Sequence, residues 1–151
     1  MVGLLQVAFG GCPRPDQFFV GRLDDLEYAD HNACVQSQTV DSIALADLGT
    51  VGYDPFCSTD VAGYLHYMPG LGRVLLGDGG EEYLFQFLLH LRPERVAAFT
   101  TGQRAAVARL LEHVRDTRSE AIQFDREDLA AMLGLLRGPD AEPGAAADGG
   151  A

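Results

Sequence analysis

The chain has 151 residues, 47% of them hydrophobic, a length and composition that suit one domain with a real buried core. Its 22 acidic residues against 11 basic ones leave a net charge of −11, and every basic residue other than histidine is an arginine. Binding to phosphate needs a basic surface, so this balance works against nucleic acid and against an anionic membrane; it leaves a basic protein as a candidate partner, with a surface kept soluble by self-repulsion as the plainer reading.

The 3 cysteines, Cys12, Cys34 and Cys57, stand far apart with no C-x-x-C. That spacing argues against a disulfide framework or a zinc ribbon and fits three partly apolar thiols in a reducing, cytoplasmic compartment. In chain order, Leu4, Leu5, Ala8 and Phe9 predict a short amphipathic helix closed by Gly10-Gly11. It has no basic start and is too short to span a bilayer. Pro13 and Pro15 then hold Arg14 in a stiff connector, where its planar fork is a candidate binding group for a carboxylate. Phe18-Phe19-Val20 is an apolar run; exposed, it would mark a dimer surface, and a homo-oligomer is otherwise not legible.

Asp24, Asp25, Glu27 and Asp30 crowd ahead of His31, the densest acidic stretch in the chain. On a helix Glu27 and His31 lie at i and i+4 on one face, which makes them candidate metal ligands. A stable centre needs three or four ligands, and H-E-x-x-H is absent, so the plainer reading is a solvated face with one favourable pair. Cys34 to Val40 reads as a loop, followed by a short helix through Leu45 and Leu48 capped by Ser42 or Asp41. Gly49 and Gly52 bracket a turn into the central unit. This well-specified connection offers Tyr53 and Asp54 as further candidate binding residues.

The unit from Tyr53 to Leu76 organises the rest. Pro55 pushes Asp54 out of the helical region, so a helix begins only beyond it, with Thr59 or Ser58 as cap and Asp60 in the first turn. Val61, Tyr64, Leu65 and Met68 share a face, and Pro69 predicts a bend or a restart before Leu71, Val74 and Leu75. After the glycines at 77 to 80, Leu84, Phe87, Leu88 and Leu91 define the next helix; Phe85 and Leu89 widen its stripe, which predicts the most buried helix of the fold. His90 near its end reads as a complement to the helix dipole. Arg92-Pro93 ends it, and Arg95 to Phe99 is the one segment that could be extended. Thr100 and Gln103 form a capping box with Phe99 as staple, opening a helix that buries Val107, Leu110, Leu111 and Val114. Asp125 with Asp128 opens a last helix through Leu129, Met132, Leu133 and Leu136, with Ile122 and Phe124 as anchors ahead of it. The expectation is a mainly α, single compact domain over residues 1–137, five to seven helices around a bent central helix with little or no sheet. Residues 138–151 should form a disordered acidic tail rich in Gly, Ala and Pro.

The ordered set Ala8-Phe9, Pro13 to Pro15, Glu27 to His31, Leu45 to Gly49, Tyr53 to Pro69 and Phe99 to Val107 resembles a family of small bacterial proteins of unknown function, over about residues 4–137. Members of that family tend to carry a C-x-x-C before the histidine, which suggests a metal or redox role. Here Asp25 and Tyr28 stand at the matching positions, so the resemblance carries over no thiolate chemistry and no catalytic residue.

Two functions follow. The first is a noncatalytic protein-binding module, an adaptor or an immunity-like antagonist of a basic partner. The second is a metal-binding protein or enzyme using Glu27 and His31 with help from Asp54, Cys57 or His66, which requires three of these side chains to converge. G-x-S-x-G, phosphate-loop and dinucleotide fingerprints are all missing, and no cofactor is predicted.

Overall fold

The computed structural model describes residues 1–19 and 24–138. Within them the chain forms α1 (Val2–Phe9), α2 (Leu26–Ser37), a 3-10 turn (Leu45–Leu48), α3 (Val61–Leu76), α4 (Gly80–His90), α5 (Pro93–Ala97), α6 (Thr101–Thr117) and α7 (Arg126–Arg137). Among the described residues there is no strand, only an isolated bridge between Thr50 and Tyr53. Val20 and the tail from Pro139 onward lie outside the described residues.

α3 is the central element. Its cap is Asp60, whose side chain accepts from the Gly63 N–H at 2.7 Å, one residue beyond Thr59. The Thr59 hydroxyl is buried and donates instead to the Phe56 carbonyl at 2.9 Å. The helix runs through Pro69 without a break, with 10 buried residues among 16. It packs against α1, α4 and α5; α6 closes on α1 and α7, and α7 also touches α4.

α3 contributes more buried residues than α4, whose 7 buried among 11 are a similar share, but the wide stripe expected of α4 does not all face inward. Phe85 and Leu89 are 40% and 43% exposed, because α4 turns only the Tyr83, Leu84, Phe87 and Leu88 side inward. The dimer hint at Phe18-Phe19 also disappears, since both rings are buried in the core. α2 continues to Ser37, so most of the expected 34–40 loop is helical. Residues expected to be extended near Arg95 form α5, started by Pro93 at its first turn. Ile122 is buried as expected, whereas Phe124 points to solvent.

Local chemistry explains how the loops are held. Arg14 donates to the Gln36 and Gln38 carbonyls at 2.7 and 2.8 Å, so it caps the C-terminal end of α2 where a carboxylate had been expected. Arg73 on α3 donates to the carbonyls of Asp41 and Ile43 at 3.0 and 2.6 Å, and a Cβ at Gly70 would lie 2.6 Å from the Val40 oxygen. Residues 40–43 thus lie directly on α3, an approach only glycine permits. The α6 capping box forms as predicted: Gln103 N–H donates to Thr100 Oγ1 at 3.2 Å and Thr100 N–H to Gln103 Oε1 at 2.9 Å. The expected Asp125 cap does not form a side-chain bond.

Candidate functional site

Two clusters of polar side chains flank the segment from Gly49 to Thr59. The first is built on Asp54. Pro55 keeps Asp54 extended, and its Oδ1 accepts the Phe56 N–H at 2.8 Å, an Asx turn that aims the other oxygen inward. There Oδ2 accepts from His90 Nε2 at 2.7 Å and from Gln86 Nε2 at 3.0 Å, with the carboxylate and imidazole both fully buried.

The protonation of this cluster follows from its bonds. Burial pushes the Asp54 pKa up, but the His90 bond and charge, with Gln86 and Phe56 N–H, hold it below 3.8. Burial lowers the His90 pKa below 6.5 against the opposing pull of Asp54, so its imidazole stays neutral. The carboxylate can only accept, so His90 Nε2 carries the proton and Nδ1 accepts from the Tyr83 hydroxyl at 3.2 Å. Tyr83 is a firm donor here, its pKa pushed well above 10.0 chiefly by burial.

Arg95 completes the cluster from α5. Its guanidinium, 2% exposed, donates to the carbonyls of Phe56, Thr59 and His90 at 2.8, 2.6 and 3.1 Å and lies 4.3 Å from the Tyr64 ring centroid. Burial lowers its pKa. It joins the end of α4 to the start of α3 by donating to their buried carbonyls, sharing that of Phe56 with the Thr59 hydroxyl.

Asp54, Cys57 and His90 place one ligating atom each within 4.8 Å of one another, the group among the described residues that could hold a metal ion. Its donor set suits zinc, and its outer bonds to Tyr83 and Gln86 resemble the supports of metal ligands. The charges oppose it. Burial and then the Asp54 charge raise the pKa of the Cys57 thiol, outweighing the lowering pull of Arg92 and Arg95, and the same two guanidinium charges repel a cation. The His90 lone pair that a metal would need at Nε2 is also replaced by a proton given to Asp54. As it stands the cluster is a buried polar clamp.

The second cluster is a cleft of about 220 Å³ between α2 and the 49–55 loop, lined by Asp30, His31, Cys34, Asp47 and Tyr53 among others. His31 is 5% exposed and its Nε2 is buried with no hydrogen-bond partner. Its ring meets the Tyr53 ring edge-on at 4.3 Å between centroids. Tyr53 is 48% exposed. Some desolvation, then the charges of Asp30 and Glu27, raise the pKa of its phenol. Asp47 is locked, with Oδ1 accepting from Gln38 Nε2 at 3.0 Å and Oδ2 from the Ala44 N–H at 2.8 Å.

The structure thus divides the sequence candidates. His31 and Tyr53 meet in one cleft and Glu27 is exposed outside its lining, and no third ligating atom joins Glu27 and His31 in a group tight enough for one ion among the described residues. Asp54 and Cys57 belong to the other cluster, and His66 stands apart, its Nδ1 3.2 Å from the Cys12 carbonyl oxygen. Arg14 serves α2. Sequence reasoning missed His90, Gln86 and Arg95. His90 is a core residue and not a dipole complement, and the spacing of Tyr83, Phe87 and His90 at i, i+4 and i+7 was the available signal. No protein-family model, curated protein or solved structure matches this chain.

Proposed function

We propose that the protein is a noncatalytic binding module, an adaptor or immunity-like antagonist, for a basic protein partner. The observation that carries this reading is the cleft beside the exposed Tyr53 ring, lined by Asp30 and Asp47 with no arginine, where the Asp30 and Glu27 charges act on the Tyr53 phenol. Exposed tyrosines flanked by charge are the kind of anchor that protein interfaces use. The titratable cluster that could support chemistry is closed instead: Asp54 and His90 are shut away from solvent and bonded to each other. Crosslinking mass spectrometry in the native cell tests the reading. A basic protein crosslinked to α2 and the 49–55 loop is the expected result, and crosslinks spread evenly over the acidic surface would sink it. Nucleic acid is not part of the proposal, and among the described residues no helix is long and apolar enough to cross a membrane.

A second reading, a metal-binding protein, is favoured by the convergence of Asp54, Cys57 and His90. Elemental mass spectrometry of the untagged protein, with the melting temperature taken before and after chelation, decides it. One metal per chain whose removal lowers the melting temperature would establish the site, and a metal-free protein with an unchanged melting temperature eliminates it.

A further inference from the structure

We infer that the groove between the start of α6 and the end of α7 binds a small amphiphilic anion, an apolar body carrying one carboxylate. The groove shares no lining residue with the cleft beside Tyr53, so this site goes beyond the binding-module reading and is independent of it.

The groove follows from the sequence of α6 and from where α7 ends. Phe99 leads into the Thr100 cap, and beyond it α6 turns Arg104, Ala105 and Ala108, at i, i+1 and i+4, to the same side. The methyl side chains of Ala105 and Ala108 leave a gap to α7, whose last turn supplies Leu136 and Arg137 before Gly138, at a φ of 77°, ends the helix. The space left is about 440 Å³, within the roughly 300–1,000 Å³ of small-ligand sites.

The walls made by Phe99, Ala105, Ala108 and Leu136 are apolar, and the charge of the groove is opposite to that of the molecule. In a chain of net charge −11, Arg104 and Arg137 line it and no carboxylate does. The two arginines differ in what holds them. Arg137 donates to Glu112 Oε1 at 2.5 Å, outside the lining, which fixes its guanidinium at the rim. Arg104 is half-buried, and among the described residues it makes no hydrogen bond or ion pair. A partly desolvated guanidinium with its donors unused is matched by a carboxylate, which accepts from both prongs of the fork while an attached hydrocarbon covers the apolar walls. Neither half of such a ligand suffices alone. A bare anion leaves the walls wet, and a neutral hydrocarbon gives Arg104 no acceptor. The acidic surface of the rest of the molecule repels a polyanion, so the ligand carries a single charge.

The test is an NMR titration of the full chain with sodium octanoate, read at the Phe99 ring and the Ala105 and Ala108 methyl groups, with 1-octanol and acetate beside it at equal ionic strength. Saturable shifts at all three residues are expected with octanoate, at an affinity about tenfold or more above that of either control. Arg104→Gln removes the charge where there is no bond to lose, so the fold is expected to survive. It should weaken octanoate by about tenfold or more and leave octanol unchanged. Ala105→Trp, at an exposed position, should fill the groove and abolish binding of both. Shifts absent from Phe99, Ala105 and Ala108, or octanol or acetate binding as tightly as octanoate, overturn the site. Full octanoate affinity in either variant overturns it as well. None of these results bears on crosslinks to α2 and the 49–55 loop, so this site and the binding-module reading fail separately.

Discussion

The Asp54 cluster and the His31 cleft lie on either side of one loop, and both contain a buried histidine near a carboxylate and a tyrosine. They differ in closure. Around His90 both ring nitrogens have partners, Asp54 receives three hydrogen bonds, and Arg95 satisfies three carbonyls; the Tyr64 hydroxyl is the buried polar atom left over there. Around His31, by contrast, a buried nitrogen is unpaired and the neighbouring Tyr53 is open to solvent. A network with its donors and acceptors matched specifies structure, whereas an unmatched buried nitrogen costs stability.

The largest effect that could break this contrast is at Asp54. Asp54→Ala strands the His90 N–H and the Gln86 amide in the core and should cost about 1–3 kcal/mol for each stranded donor, measured by denaturant unfolding. A loss under ~1 kcal/mol would mean that the cluster is not a structural clamp.

Acid should come next. The native pKa of His90 lies below its usual 6.5, and that of Asp54 below its usual 3.8, so the native state binds fewer protons than the unfolded chain between those values. Their contribution to stability is therefore fully present above pH 6.5, declines as pH falls through the His90 window, and declines further below pH 3.8 through that of Asp54. The melting temperature should fall along the branch beginning near pH 6.5, and His90→Phe should flatten that branch. An acid branch of unchanged slope in that variant would assign it to other groups.

Tyr83→Phe removes the donor to His90 Nδ1 and leaves that nitrogen buried and unpaired, at a cost of about 1–2 kcal/mol. Equal stability of the variant and the parent would show that the hydroxyl contributes nothing to the clamp. At the cleft the sign should reverse. His31→Phe removes an unpaired nitrogen while keeping an aromatic ring between Phe19 and Tyr53, so it should be neutral or stabilise by up to about 1 kcal/mol. A destabilisation comparable to that of Tyr83→Phe would mean His31 is structural, and the difference between the two regions would vanish.

The sequence by itself determined what depends on near neighbours in the chain. The α6 capping box, the turn at Asp54-Pro55, the apolar stripes of α3, α6 and α7 and the all-helical character were all legible, because caps, prolines and a period of 3.6 residues act over a few positions. Tertiary structure alone decided which polar residues meet. Asp54 and His90 are 36 residues apart, and Arg95 reaches Thr59 across the same separation, so no local pattern paired them. The same limit misplaced Phe85 and Leu89, whose stripe was correctly helical but whose exposure depended on where α7 comes to rest. Glu27 and His31 were rightly placed on one helix, and Tyr53 on a specified loop. That His31 and Tyr53 share a cleft, with one nitrogen left unpaired, followed only from how α2 packs against that loop.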